Sequence, residues 1–162
     1  MSIQRARLTP SFELVLKPSK SVSPMTAGKR ELRILIVEDN KLDEFLLIEA
    51  LQHLERPIRI SIVNNLKDAE YYLNQESYDI IFMDLHLPDS ANYQTSLDLV
   101  DRYRATQKFI VMSGIEDWQK VKSSFDAGAS NFLPKETLSR GHLPQDLERM
   151  VETCRTQKPP SA

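Results

Sequence analysis

The 162-residue chain has a single cysteine, four glycines and no long apolar run. One cysteine, Cys154, cannot form a disulfide within the chain, which favours a reducing cytoplasmic setting and a packing role for this side chain. No stretch is long enough to cross a bilayer, and the N-terminal apolar segment is too short and charged for a signal peptide. The net charge of −2 gives no basic footprint. We therefore expect no membrane and no nucleic acid partner.

The chain contains one domain's worth of ordinary globular sequence, with 41% hydrophobic and 27% charged residues. Residues 1–30 carry scattered prolines, serines and basic residues without sustained periodicity, which predicts a flexible N-terminal tail. Residues 12–16 are the one apolar island in this tail; an inert tail is favoured, with docking of the island on the domain or on a partner as the alternative, and Met25 offers an alternative start. Residues 31–156 are the predicted domain, and residues 157–162 a short C-terminal tail.

Short apolar runs alternate with segments of helical periodicity throughout residues 31–156. The runs lie at residues 32–37, 58–63, 80–83, 109–112 and 131–133, and each is followed by a predicted helix. The run at 80–83 is unbroken, as in a strand buried on both faces of a parallel sheet. Five strands alternating with five helices predict an α/β fold, with a parallel sheet covered by helices on both faces.

Capping residues and apolar spacing mark the predicted helices. Asn40 or Asp39 is the expected N-cap of the first helix and Asn65 that of the second, while Gly128 ends the fourth and Pro144 opens the last. The apolar positions of the first helix are Leu42, Phe45, Leu46, Ala50 and Leu54. Their spacing predicts that they form its buried face.

Polar side chains follow four of the five predicted strands. They are Glu38 and Asp39 after the first strand, Asp84 after the third, Ser113 after the fourth and Lys135 after the fifth. Each alone is explained by a cap, a turn or a solvated side chain, but parallel strands bring their carboxyl ends to one edge, where ligands bind. Three carboxylates repel one another unless a cation joins them, and Mg²⁺ prefers such oxygen ligands. The set predicts phosphoryl transfer, with Asp84 as the nucleophile that forms an acyl phosphate.

Residues 31–156 resemble the receiver domain of bacterial two-component response regulators. The matching motifs are Glu38-Asp39-Asn40, Asp84 with Leu87-Pro88, Ser113-Gly114, and Phe132-Leu133-Pro134-Lys135. The resemblance implies a flavodoxin-like (βα)5 three-layer sandwich, with its five-stranded parallel sheet in the order 2-1-3-4-5.

The resemblance also assigns roles to the residues of the motifs. It implies that Asp84 is the phosphoacceptor, that Lys135 pairs with the phosphate, and that Ser113 and Phe132 are the switch hydroxyl and switch aromatic. It further implies that Glu38, Asp39, Asp84 and the backbone carbonyl of His86 hold Mg²⁺, for which Mn²⁺ can substitute.

The function implied is that of a stand-alone response regulator, phosphorylated by a histidine kinase or a histidine phosphotransfer protein. Only residues 157–162 follow the last predicted helix, so we expect no output domain. Output would pass through protein contacts on the face formed by the fourth helix, fifth strand and fifth helix, and a homodimer is compatible with this. Trp118 and residues 136–143 are the candidate contacts, although the core is an equal alternative for Trp118.

Departures from the family pattern bear on partner choice, among them Phe132, which cannot form the hydrogen bond of a tyrosine, and the long stretch 136–143. Glu136 replaces the proline that often follows the lysine, and residues 89–93 lack the common glycine. Two alternative functions stay open. One is a degenerate receiver that binds proteins without phosphorylation, against which the intact acidic set argues. The other is a phosphatase or phosphotransferase with an aspartyl nucleophile, disfavoured because His86 stands where such enzymes commonly place a second acid.

Overall fold

The computed structural model describes residues 12–17, 30–114, 117–139 and 143–156. The strands within these residues are β1 Phe12–Leu16, β2 Leu32–Val37, β3 Ile58–Val63, β4 Ile80–Asp84, β5 Phe109–Ser113 and β6 Asn131–Pro134. The helices are α1 Lys41–Gln52, α2 Leu66–Gln75, α3 Tyr93–Tyr103, α4 Trp118–Asp126 and α5 Leu143–Thr156, with a 3₁₀ helix at Lys135–Ser139. None of these helices is long and apolar enough to cross a membrane.

The strands form one sheet in the order β1-β3-β2-β4-β5-β6. Strands β2 to β6 are parallel neighbours, and their order confirms the predicted 2-1-3-4-5 arrangement. Every residue of β4 and β5 is buried, because helices cover both faces of the sheet and leave no polar side. The predicted α/β class and flavodoxin-like architecture are therefore confirmed.

Two apolar cores lie on opposite faces of the sheet. Alternate β2 residues divide between them, with Ile34 and Ile36 in the first core and Leu35 and Val37 in the second. Helices α1 and α5 close the first core, and α2 and α3 close the second. Cys154 is buried in the first core, so its predicted packing role is confirmed.

The prediction of a flexible tail is wrong for the apolar island, which forms β1. This strand pairs antiparallel with β3, from Phe12 opposite Ile62 to Leu16 opposite Ile58. Leu14 and Leu16 pack against the first core, while the Glu13 carboxylate contacts Arg59 at 2.9 Å. Local periodicity could not reveal this pairing, because its partner lies more than forty residues away along the chain. The remaining predicted tail residues lie outside the described ranges, except Lys17 and Arg30.

The prediction for the buried face of α1 is also wrong in part. Leu42 is 64% exposed and Phe45 is 57% exposed. The buried α1 residues are Leu47, Ala50 and Leu51, and Leu54 is buried just beyond the helix. The apolar residues of α1 are spread over several sides of the helix. Their spacing in the sequence therefore does not identify which side is buried.

The capping predictions agree closely with the structure. The side chains of Asn40 and Asn65 cap α1 and α2, and Gly128 follows α4 with a φ of 99°. Helix α5 begins one residue before Pro144. Part of the predicted loop at residues 136–143 is instead the 3₁₀ helix, whose Leu138 is buried in the first core.

Replacing Gly128 should destabilise the fold, because a side chain at positive φ is strained and its Cβ would lie 2.4 Å from the Arg104 Cδ. We expect Gly128→Ala to lower the free energy of unfolding by about 1–2 kcal/mol in urea titrations. Gly114→Ala is the matched control, since its Cβ would meet nothing within 4 Å. Equal stability of the two variants would contradict the assignment of strain to Gly128.

Candidate functional site

Three parallel strands deliver the central side chains to one edge of the sheet. Asp84 is the last residue of β4, Glu38 directly follows β2, and Lys135 directly follows β6. Glu38 is fully buried and Asp84 is 2% exposed. The Glu38 N–H donates to the Val63 carbonyl at 3.0 Å, which continues the β2–β3 ladder and holds the residue in place.

The Lys135 ammonium joins the carboxylates at this edge. Its Nζ lies 2.8 Å from Glu38 Oε2 and 3.1 Å from Asp84 Oδ2. It also donates to Asp43 Oδ2 at 3.0 Å. The lysine side chain is only 13% exposed, so the three contacts compensate a largely desolvated charge. The structure thus brings Glu38, Asp84 and Lys135 together, as the sequence predicts.

Asp43 is a member of the site that the sequence analysis missed. It lies in the first turn of α1, where Asn40 Oδ1 caps the helix by accepting from the Leu42 and Asp43 N–H groups at 2.9 and 3.2 Å. The first turn of a helix favours an acid because of the helix dipole, so Asp43 alone suggests only a helix start. The signal available in the sequence was that Asp43 lies beside the capped N-terminus of a helix that follows Glu38 and Asp39.

Three carboxylates are close enough to share a divalent cation. One oxygen from each of Glu38, Asp39 and Asp84 lies within 4.8 Å of the others. Asp39 is exposed while the other two are buried, so the cluster opens to solvent on one side. Hard oxygen donors with an open side suit Mg²⁺, which commonly keeps several waters. The residues present therefore fit the predicted cation, and the role of the His86 carbonyl stays a prediction.

Burial and neighbouring charge set the protonation of this cluster. Burial raises the pKa of the Glu38 carboxyl to about 7, the nearby Asp84 charge adds to the rise, and Lys135 and the Asn40 N–H offset part of it. Burial alone would lower the pKa of Lys135. Its contact with Glu38 and the Asp84 charge outweigh that effect, so the lysine pKa lies above its ordinary value and the ammonium stays charged.

The two predicted switch residues lie on the next strands of the sheet. Ser113 ends β5, beside the β5 residue Met112 that pairs with Asp84. Its side chain is fully buried, and its Oγ has no hydrogen-bond partner among the described residues. Phe132 lies on β6, is 7% exposed and packs in the second core. Their predicted switching roles stay predictions.

An apolar groove lies beside Phe132. It has a volume of about 430 Å³ and is lined by Trp118, Val121, Phe125, Phe132 and Pro134. Trp118 is 77% exposed, so the alternative that placed it in the core is wrong. The groove contains residues of α4 and β6, and these elements belong to the face predicted for output.

A second ammonium, which the sequence analysis did not predict, lies near the carboxyl end of β4. Lys120 Nζ on α4 lies 3.2 Å from His86 Nε2 and 5.8 Å from the centre of the Tyr93 ring. The backbone N–H of His86 donates to Asp84 Oδ1 at 3.1 Å. This chain of contacts links α4 to the loop that follows Asp84.

Comparisons with known proteins agree with this geometry. A family model described as "Response regulator receiver domain" matches residues 34–148. The chain is 30% identical over 127 residues to the transcriptional regulatory protein PhoP of Escherichia coli K12, an alignment that covers 76% of the chain and 52% of PhoP. The chain therefore spans about half the length of the curated relatives that it matches.

Solved structures share the fold. The phosphorylated cyanobacterial phytochrome response regulator RcpA has a TM-score of 0.65 and 26% identity, covering 82% of this chain and 100% of that chain. The Mn²⁺-bound response regulator Rcp1 has a TM-score of 0.59 and 23% identity, covering 80% of this chain and 99% of that chain.

The raised pKa of Glu38 predicts a pH-dependent stability of the metal-free protein. Because the Glu38 carboxyl binds a proton more tightly in the folded protein than in the unfolded chain, protonation of Glu38 stabilises the fold. This stabilisation is complete below the ordinary pKa of 4.5 and is lost as pH rises to about 7. Glu38→Gln removes the titration. We expect the difference in unfolding free energy between the two proteins to change by about 1–3 kcal/mol across this range.

Urea titrations in EDTA from acidic to neutral pH measure this change. Glu44→Gln is the control, because that glutamate pairs with Lys41 on α1 outside the buried cluster. Parallel stability curves for wild type and Glu38→Gln would contradict the prediction.

Proposed function

The chain belongs to the response regulator receiver domain family, and from that premise we propose that Asp84 accepts a phosphoryl group from a histidine kinase or a histidine phosphotransfer protein. The observation that carries the proposal is the contact of the Lys135 ammonium with Asp84, at 3.1 Å, inside a cluster of carboxylates. A carboxylate nucleophile beside a fixed cation suits an acceptor of phosphoryl groups. Phosphorylation would act in signalling through protein contacts.

In the proposed reaction, a carboxylate oxygen of Asp84 attacks the phosphorus of a phosphohistidine. The new O–P bond forms as the P–N bond breaks, and the departing imidazole keeps the electron pair and takes up a proton. The product is an acyl phosphate on Asp84. The buried position of Asp84 orients its carboxylate and limits solvent around it.

Charge neutralisation accounts for the other residues of the cluster. Glu38, Asp39 and Asp84 would hold Mg²⁺ or Mn²⁺, with the His86 carbonyl as a further ligand. When bound, the ion neutralises charge on the phosphoryl oxygens. Lys135 already contacts Asp84 and can pair with a second phosphoryl oxygen. The buried Ser113 hydroxyl, which lacks a partner among the described residues, can donate to the third.

Output would follow from movement of Ser113 and Phe132. A hydroxyl drawn toward the phosphoryl group would make room beside β6, and Phe132 would move into it. Phe132 lines the groove with Trp118 and Phe125, so its movement would change the surface that α4 and β6 present. A downstream protein that recognises this face would then bind one state better than the other.

The alternative of a degenerate receiver is disfavoured by the same cluster. A receiver that signals without phosphate has no need for a lysine held within 3.1 Å of two buried carboxylates. Such buried charges are costly to keep when they serve no chemistry. Catalysis by this protein would be confined to its own phosphorylation and dephosphorylation, which fits a cytoplasmic signalling role.

Phosphorylation of Asp84 can be measured by intact mass after incubation with acetyl phosphate and Mg²⁺. We expect wild type to gain one phosphoryl group and Asp84→Asn to gain none, because an amide is a poor nucleophile. Asp98→Asn, on the exposed face of α3, is the control and should behave like wild type. Equal gain by Asp84→Asn, or full gain in excess EDTA, would contradict the proposal.

The single tryptophan, Trp118, reports on the proposed switch because it is exposed beside Phe132. We expect phosphorylation of wild type to change Trp118 fluorescence. Ser113→Ala should still be phosphorylated but show a smaller fluorescence change, because it lacks the hydroxyl that is proposed to move toward the phosphoryl group. Ser123→Ala, a serine on α4, is the control. A full fluorescence change in phosphorylated Ser113→Ala would remove Ser113 from the switch.

A further inference from the structure

Strand β1 forms one end of the sheet, and its outer edge has no strand partner among the described residues. Its inner edge pairs with β3 along all five residues. An open strand edge presents unpaired N–H and C=O groups and is a ready template for another strand. The apolar sequence Phe12-Glu13-Leu14-Val15-Leu16 lacks the proline or bulge that commonly protects such an edge.

The two faces of β1 differ in chemistry. Leu14 and Leu16 lie on one face and pack against the first core. Glu13 and Val15 alternate with them on the opposite face, where Val15 is 44% exposed. Lys17 follows on that same alternation, is exposed, and has no acidic partner among the residues that the structure describes.

This pattern is complementary to itself when two copies of β1 run antiparallel about a twofold axis. With Val15 on the axis, Glu13 of each copy lies opposite Lys17 of the other, and Leu14 lies opposite Leu16. Both faces are then matched, since charge meets opposite charge and apolar meets apolar. An axis at Leu14 would instead place Glu13 opposite Val15. Moving the axis by half a residue would bring the core-facing side chains of one copy opposite the outward-facing side chains of the other.

We propose that β1 pairs with β1 of a second copy of this chain, antiparallel and centred on Val15. The two sheets then join into one continuous sheet across a twofold axis, with each Glu13 facing the Lys17 of the other copy. Glu13 keeps its contact with Arg59 at 2.9 Å, because a carboxylate can accept from two partners. The interface is small, so the association is a weak and concentration-dependent dimer.

Sedimentation of the full chain across a wide range of concentrations tests the pairing. Wild type should dimerise reversibly. Lys17→Glu should weaken the dimer about tenfold or more, because two attractive pairs become two repulsive ones. Lys17→Arg keeps the charge and should dimerise like wild type. A monomeric wild type at all concentrations, or a dimer unaffected by Lys17→Glu, would overturn the proposal.

A mixing experiment separates charge pairing from loss of structure. Glu13→Lys alone places like charges opposite each other, and so does Lys17→Glu alone. An equimolar mixture restores both opposite-charge pairs in a heterodimer, so we expect association in the mixture and not in either variant. Arg59 keeps its contact with Glu31 at 2.9 Å when Glu13 is replaced. Absence of a heterodimer from two variants with wild-type melting curves would overturn the charge pairing.

A cysteine at the twofold axis tests the register. Residues directly opposite in antiparallel strands have Cα atoms about 4.5–5.5 Å apart, within the range that a disulfide spans. Val15→Cys should therefore form a covalent dimer on mild oxidation, while the native Cys154 is buried and should not react. Lys67→Cys, exposed on α2, is the control and should stay monomeric on gels. Failure of Val15→Cys to cross-link in a sample that sediments as a dimer would overturn this register.

Discussion

A single ammonium among three carboxylates is the interaction on which the site depends. Lys135 lies within 3.1 Å of Glu38, Asp43 and Asp84, and two of these acids are almost completely buried. Buried like charges are unfavourable without a compensating cation, so the lysine makes the acidic cluster tolerable in the folded protein. Glu38 nevertheless keeps a raised pKa, because its burial and the nearby Asp84 charge together outweigh the effect of Lys135. Three carboxylates against one ammonium leave a net negative charge, which suits the divalent cation proposed for this cluster.

The parallel sheet makes this convergence available. Strands β2, β4 and β6 run in the same direction, so the residues at their carboxyl ends lie at one edge although they are far apart in sequence. A slip of β4 or β5 by one residue would turn Asp84 or Ser113 toward the other face of the sheet, away from the site, and would exchange the side chains of the two apolar cores. A rigid base with polar residues at its edge positions the functional groups without loops of their own. The capped start of α1 adds Asp43 from outside the sheet.

Sequence reasoning succeeded where local pattern and parallel topology determine the answer. It predicted five strands from the apolar runs and the meeting of Glu38, Asp84 and Lys135 from strand ends in a parallel sheet, while the strand order came from the family resemblance. It failed for β1, whose antiparallel pairing with a distant strand leaves no local signal. It also failed for the exposed face of α1, where Leu42 lies on an apolar helix with no clear polar side. The sequence analysis looked for site residues only at the ends of strands, so it did not find the ones that lie on helices.

The same sheet also explains how a charge at its edge could reach the surface. Ser113 carries a buried hydroxyl without a described hydrogen-bond partner, a state that costs about 1–3 kcal/mol and is relieved by any acceptor that arrives nearby. Under the proposed function, the phosphoryl group on Asp84 is that acceptor, and the hydrogen bond would stabilise one position of β5. The adjacent strand carries Phe132, which lines the groove together with the exposed Trp118. A chemical change at one strand would then alter a surface two strands away, because Ser113 and Phe132 are both buried on the two strands that follow β4 in the sheet.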